Sequence, residues 1–193
     1  DLAPKWVMIW PYDSGGCGCA QCQPWGHGGY LRSAEPLANL ARSKFPGARV
    51  ILSTWFFDRE EWAGLARTFA SRPDWVDYLL VEPAFSPGTP NSPPAHPSPA
   101  DLPLVGFPEI SMVGWRVWGG FGANPLPTRY EREWKELKAR WQGGFPYSEG
   151  IFEDINKALF ASFYWRADTT ADEALTEYIA FEYSPEVVHL VLP

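Results

Sequence analysis

The sequence predicts an α/β fold built from parallel β/α units, in the form of a partial (β/α)8 TIM-type barrel of about five strands. Short runs rich in β-branched and aromatic residues alternate with segments whose apolar residues recur at helical spacing. The runs are continuously apolar, as in parallel strands covered on both faces. Strand–helix alternation along the whole chain argues for α/β layering rather than separate strand and helix layers. No repeat of fixed period occurs, and residues 1–193 read as one domain.

Lys5 to Asp13 (KWVMIWPYD) reads as a buried strand. Leu31 to Lys44 reads as a helix, with Leu31, Leu37, Leu40 and Ala41 on one face and Pro46-Gly47 as its stop. Arg49 to Asp58 (RVILSTWFFD) is the second strand. Arg59 to Arg72 is the second helix, with Trp62, Leu65, Ala66 and Phe69 sharing a face. Asp77 to Pro83 and Leu102 to Met112 are the third and fourth strands. The stretch from 86 to 101 between them holds six prolines and reads as a polyproline-like loop inside the domain. A Gly/Pro/Trp loop follows Met112. Residues 129 to 141 form a charged helix with Glu131–Lys135 and Glu136–Arg140 at i,i+4. GGFPYSEG is a short fifth strand. Ile151–Trp165 and Thr170–Tyr183 are helices, the latter capped by Thr170 or Asp172. The tail EVVHLVLP reads as strand-like, and neither His189 there nor His96 in the proline-rich loop has an evident partner.

Composition excludes several classes of function. The net charge is −7 and Lys/Arg occur at most in isolated pairs, so the basic footprint of a nucleic-acid binder is missing. No apolar run approaches the ~20 residues of a membrane helix. The start, DLAPKW, lacks a basic segment followed by an apolar one, so no signal peptide is expected in this chain; a secreted or periplasmic location is nonetheless favoured. Eleven Trp, eight Tyr and twelve Phe bring aromatic residues to 16%. Trp offers a flat apolar face and one N–H donor, which suits the C–H faces and hydroxyls of sugars. A Trp-rich core is the competing use.

Each strand ends in an acid beside aromatic residues: Asp13 in WPYD, Asp58 in WFFD, Glu82 in LVEP, Glu109 in FPEI and Glu149 in YSEG. In parallel α/β folds the carboxy-terminal strand ends share one rim, where sites form. Carboxylates gathered among aromatics repel one another and lose water, which separates their proton affinities into an acid and a base. Glycosidic cleavage needs that pair. Asp58, before REEW, is equally placed to cap a helix, and Asp13 to form an Asx turn.

The three cysteines of the chain fall within six positions, in C-x-C-x-x-C-x4-H: Cys17, Cys19, Cys22 and His27. Three thiolates and an imidazole are a structural zinc set, and that closed set leaves no position for a catalytic metal. A disulfide, Cys19–Cys22 or Cys17–Cys22, and three reduced thiols are the alternatives. No organic cofactor is indicated.

The segments YDSGGCGCAQCQPWG, FPEISM, WGGFGANPLP and YSEGIFEDINKALFASFYW resemble the later strands of TIM-barrel glycoside hydrolases, in particular the α-glucuronidase-like group, over about Trp6 to Tyr183. The resemblance implies that the five strands correspond to barrel strands four to eight. It implies a general acid at Asp13, a base or nucleophile at Glu82 or Glu109, and a substrate contact at Glu149. Asp13 departs from the glutamate usual at the acid position. The chain is also shorter than the ~250 residues of a full barrel, so the resemblance implies either a missing N-terminal barrel half or a homodimer that covers the sheet edges.

The expected activity is hydrolysis of a plant or microbial polysaccharide or oligosaccharide. Trp10, Tyr12, Trp55, Asp58, Trp115, Trp118 and Tyr147 would line the site, and Arg116 would meet a uronate carboxylate. The alternative is a non-catalytic carbohydrate-binding or scaffold protein on a degenerate barrel.

Overall fold

The computed structural model describes residues 3–11, 16–55, 57–82, 98–108, 125–148 and 154–192. They form an α/β protein with five parallel-sheet strands in the order β1-β2-β3-β4-β5. The chain groups into two compact units, Asp1–Val105 and Gly106–Pro193.

The first unit is a run of β/α units. β1 (Trp6–Ile9), β2 (Arg49–Ser53) and β3 (Tyr78–Val81) alternate with α1 (Leu31–Lys44) and α2 (Arg59–Thr68). β1 pairs with β2 in parallel, Trp6 opposite Arg49 and Ile9 opposite Leu52. β2 pairs with β3 the same way, Ile51 opposite Tyr78 and Ser53 opposite Leu80. β4 (Leu104–Gly106) begins in this unit, where Pro103 accepts from the Leu79 amide at 3.0 Å. β2 and β3 supply the buried apolar centre: Val50, Ile51, Leu52, Leu79, Leu80 and Val81. Each side chain buried in this way contributes about 1.5–3 kcal/mol relative to exposure.

Four expectations change here. β1 is an edge strand, not a buried one: Trp6 and Met8 are exposed and only Ile9 is buried. Arg49 and the edge of Tyr78 cover the Trp6 ring instead. α1 keeps the expected limits but turns another face inward. Leu31, Ala34 and Ala38 are buried, whereas Leu37 and Leu40 are 53% and 55% exposed. Small side chains let the helix lie close to the sheet, and that outweighs the larger apolar area of the leucines. On α2, Trp62 and Leu65 are buried as expected, with Phe69 at its cap, but Ala66 is exposed. The helix expected to begin at Leu31 is preceded without a break by a π-helical turn over Trp25–Tyr30.

In the second unit, β5 (Trp141–Gly144) runs beside the end of β4. The Phe145 amide donates to Gly106 (2.8 Å) and the Tyr147 amide to Pro108 (3.0 Å), advancing in step as parallel strands do. α3 (Pro127–Leu137), α4 (Asp154–Trp165) and α5 (Ala171–Glu182) complete this unit with the short α6 (Val188–Val191). Aromatic packing holds these helices together. Trp134 stacks on Phe163 with its ring 5° from parallel, and Tyr130 meets Phe160 at 5.1 Å. The Trp134 indole also donates to the Ala167 carbonyl at 2.9 Å. α5 is capped by Thr170, not Asp172: the Thr170 hydroxyl accepts from the Glu173 amide, and Glu173 accepts from the Thr170 amide. On α3, Glu131 pairs with Lys135 as expected, and Arg129 with Glu133. Glu136–Arg140 is not among the ion pairs of the described residues, because α3 ends at Leu137 before Arg140. The tail is a 3-10 turn (Pro185–Val187) and α6 rather than a strand.

Trp62, Trp75, Trp134 and Trp141 are buried. Much of the aromatic content is therefore core, the competing use raised by the composition.

Candidate metal centre and strand-end rim

The segment between β1 and α1 carries the three cysteines. A tight turn brings Cys19 and Cys22 together: the amides of Cys22 and Gln23 both donate to the Cys19 carbonyl, at 3.0 and 3.1 Å. The Gln23 carboxamide reaches back to the Cys17 carbonyl at 2.8 Å, drawing the first cysteine onto the same turn. The Arg32 guanidinium of α1 donates to the Gln21 carbonyl and anchors the turn from the other side. As a result the three Sγ atoms lie within 4.8 Å of one another. Three cysteines are thus close enough to hold one metal ion. All are free thiols, Cys17 and Cys19 exposed and Cys22 half-buried. The Cys17 thiol and the backbone around the turn donate to Cys19 and lower its pKa to about 7, while hydrogen bonding to Cys19 and burial raise that of Cys22. Cys19 therefore ionises more readily than Cys22.

His27, expected as the fourth ligand, stands outside this group. It sits in the π-helical turn, where its ring lies flat on α2 at Gly64. A Cβ at Gly64 would come within 2.1 Å of the imidazole. Its Nδ1 is buried with no hydrogen-bond partner among the described residues. Sequence spacing suggests ligation, but packing against α2 takes the ring elsewhere.

Glu61 is the residue that sequence reading missed. One carboxylate oxygen accepts from the Gly26 amide at 2.7 Å, and the other from the Asp58 amide at 3.1 Å. Asp58 in turn accepts from the Glu61 amide at 2.8 Å, a reciprocal capping box. The signal was legible as D-x-x-E before an apolar run, but the tie to Gly26 was not. A Cβ at Gly26 would lie 2.7 Å from that carboxylate and 2.8 Å from the Phe57 ring, so a larger residue there would displace one of them. Asp58 is therefore a helix cap, with its side chain engaged by α2.

The carboxy-terminal ends of β1 to β3 form a rim in the first unit. The buried Tyr30 hydroxyl lies 2.8 Å from the Ile9 carbonyl and 3.0 Å from the Ser53 carbonyl, and shares its proton between the ends of β1 and β2. Burial holds this phenol far above its ordinary pKa. Thr54 fastens β2 to β3 through both its amide (3.0 Å) and its hydroxyl (2.8 Å) to the Leu80 carbonyl. Just past these ties, the rings of Trp10 and Trp55 lie 5.5 Å apart at 37°. Glu82 follows β3 directly and is half-buried. The pairing of β2 with β3 ends at Ser53 and Leu80, and the chain turns at Thr54, whose carbonyl accepts from the Phe57 amide at 3.0 Å.

In the second unit, Tyr147 stacks on Phe107, 5.1 Å between centroids and 24° between planes. Asp13, Tyr12, Glu109, Trp115, Arg116, Trp118 and Glu149 lie outside the described residues. No family model matches the chain, and no curated protein or solved structure matches it.

Proposed function

We propose that this protein binds carbohydrate at the carboxy-terminal strand ends of a β/α barrel-like scaffold and hydrolyses glycosidic bonds there. The observation that carries the reading is the Trp10–Trp55 ring pair just past the ends of β1 and β2, with Glu82 the residue that follows β3 on the same rim. Two tilted indoles offer apolar faces to a sugar ring, and an acid at the neighbouring strand end would supply proton transfer or attack at the anomeric carbon. Glu109 is the proposed second carboxylate, with Asp13 as the alternative acid. Arg116 and Glu149 are proposed substrate contacts.

The test is a screen of polysaccharides and aryl glycosides for release of reducing ends, with binding measured in parallel. Glu82→Gln and Glu109→Gln should abolish release without loss of fold. Trp10→Ala and Trp55→Ala should weaken binding, by about 1–3 kcal/mol if each ring is lost from a buried contact. Failure to bind any glycan would end the carbohydrate reading altogether. A second reading, a carbohydrate-binding protein without catalysis, is favoured by one observation. Asp58, an expected strand-end acid, has its carboxylate engaged as a helix cap. Binding without release, unchanged in Glu82→Gln, would select it.

A further inference from the structure

We propose that Cys17, Cys19 and Cys22 form a three-thiolate zinc site whose fourth position is open to an exchangeable ligand from solvent. This is independent of the carbohydrate reading. A Zn–S bond of ~2.3 Å in tetrahedral geometry sets sulfurs about 3.8 Å apart. Sγ atoms already within 4.8 Å of one another need only small side-chain rotations to close on one ion. The scaffold is prepared for this before metal arrives, by the Gln23 bond to Cys17 and the paired amides on the Cys19 carbonyl.

Among the described residues no fourth His, Asp or Glu donor reaches the three sulfurs. His27 is packed on Gly64 of α2, and drawing it into the cluster would strip that contact from the helix. Glu61, the carboxylate that does reach this segment, is occupied by the amides of Gly26 and Asp58. Cys17 and Cys19 are exposed, so water has access to the open position. The Arg32 guanidinium, bonded to the Gln21 carbonyl on the same turn, offsets part of the negative charge of three thiolates. Binding is a simple exchange: each coordinating thiol loses its proton to solvent as its sulfur bonds the metal, with no change of oxidation state.

The experiment is titration of the reduced, full chain with Zn2+ against a chromophoric chelator, and with Co2+ as a spectroscopic stand-in. One equivalent should bind, and Co2+ should show thiolate charge transfer with the intense visible bands of a four-coordinate ion. Cys17→Ser, Cys19→Ser and Cys22→Ser should each weaken binding by more than the ~10–100-fold typical of an outer-sphere change. His27→Gln should leave affinity within about twofold, and added imidazole or a small thiol should shift the cobalt spectrum of the unaltered protein. If His27→Gln instead weakens binding as much as the cysteine variants, the site is closed and the proposal is wrong. A cobalt spectrum indifferent to added ligands would overturn it on the native chain, independently of how that variant folds. No uptake of Zn2+ or Co2+ by reduced protein, uptake of Cu(I) alone, or purification as a Cys19–Cys22 disulfide would each overturn it as well.

Discussion

Replacing Glu61 by alanine removes two hydrogen bonds from one side chain. The first is the charge-assisted bond to the Gly26 amide at 2.7 Å, and Gly26 is buried. A bond to a charged group contributes about 1.5–3 kcal/mol, and the amide left behind has no water to turn to. The second is the Glu61 half of the capping box, 3.1 Å from the Asp58 amide, for which about 1 kcal/mol is the usual cap value. The expected loss is about 2.5–4 kcal/mol, a large share of the ~5–15 kcal/mol that holds a typical domain. Asp58→Ala removes the cap alone and should cost only about 1 kcal/mol. Glu61→Gln keeps one oxygen acceptor and should fall between the two. Urea unfolding followed by circular dichroism measures all three. If Glu61→Ala destabilises no more than Asp58→Ala, the link between α2 and the π-helical turn contributes nothing and the reasoning fails.

Tyr30→Phe leaves the Ile9 and Ser53 carbonyls without their shared donor; a loss of about 1–3 kcal/mol is expected by denaturant unfolding, and a neutral result would show that water replaces the hydroxyl. Gly64→Ala drives a methyl into the His27 imidazole and should destabilise by about 1–3 kcal/mol, as overpacking does. His27→Ala in the same chain should recover most of that loss, so additive effects in the double-mutant cycle would refute the contact. Burial raises the pKa of Glu133 against the lowering effect of Arg129, and one of its oxygens has no partner among the described residues. Its folded form holds the proton more tightly than the unfolded chain, so its contribution is full below the ordinary glutamate range and is lost as pH rises through the raised value. Stability of Glu133→Gln measured across that window should lack this slope; an unchanged profile would assign the slope elsewhere.

The fold class was legible because burial on both faces imposes continuous apolar strands, and RVILS and DYLLVEP carry that pattern without interruption. The limits of α1 were legible for a local reason, Pro46-Gly47 stopping the helix, and the start of α5 was narrowed to Thr170 or Asp172, of which Thr170 is the cap. Facing was not. Leu37 and Leu40 follow helical spacing yet point outward, since spacing gives a face but not which neighbour it meets. The strand-end acids show the same divide. Their positions are a sequence fact, and the capping role of Asp58, bonded by the Glu61 amide, was one of the two roles its place before α2 allowed.

At the cysteine cluster the division is sharpest. Sequence alone determined that three thiols fall within six residues, which bounds how far apart their sulfurs can lie; the hydrogen bonds of the turn then bring them together. It also offered His27 as a fourth ligand on spacing alone. Only the tertiary structure decided that the imidazole belongs to α2, because a glycine sixty-four residues into the chain leaves a flat surface that the ring covers. Local geometry gathers donors that are close in sequence. Long-range packing chooses among the groups that remain, and here it takes the histidine and leaves Cys17 and Cys19 exposed to solvent.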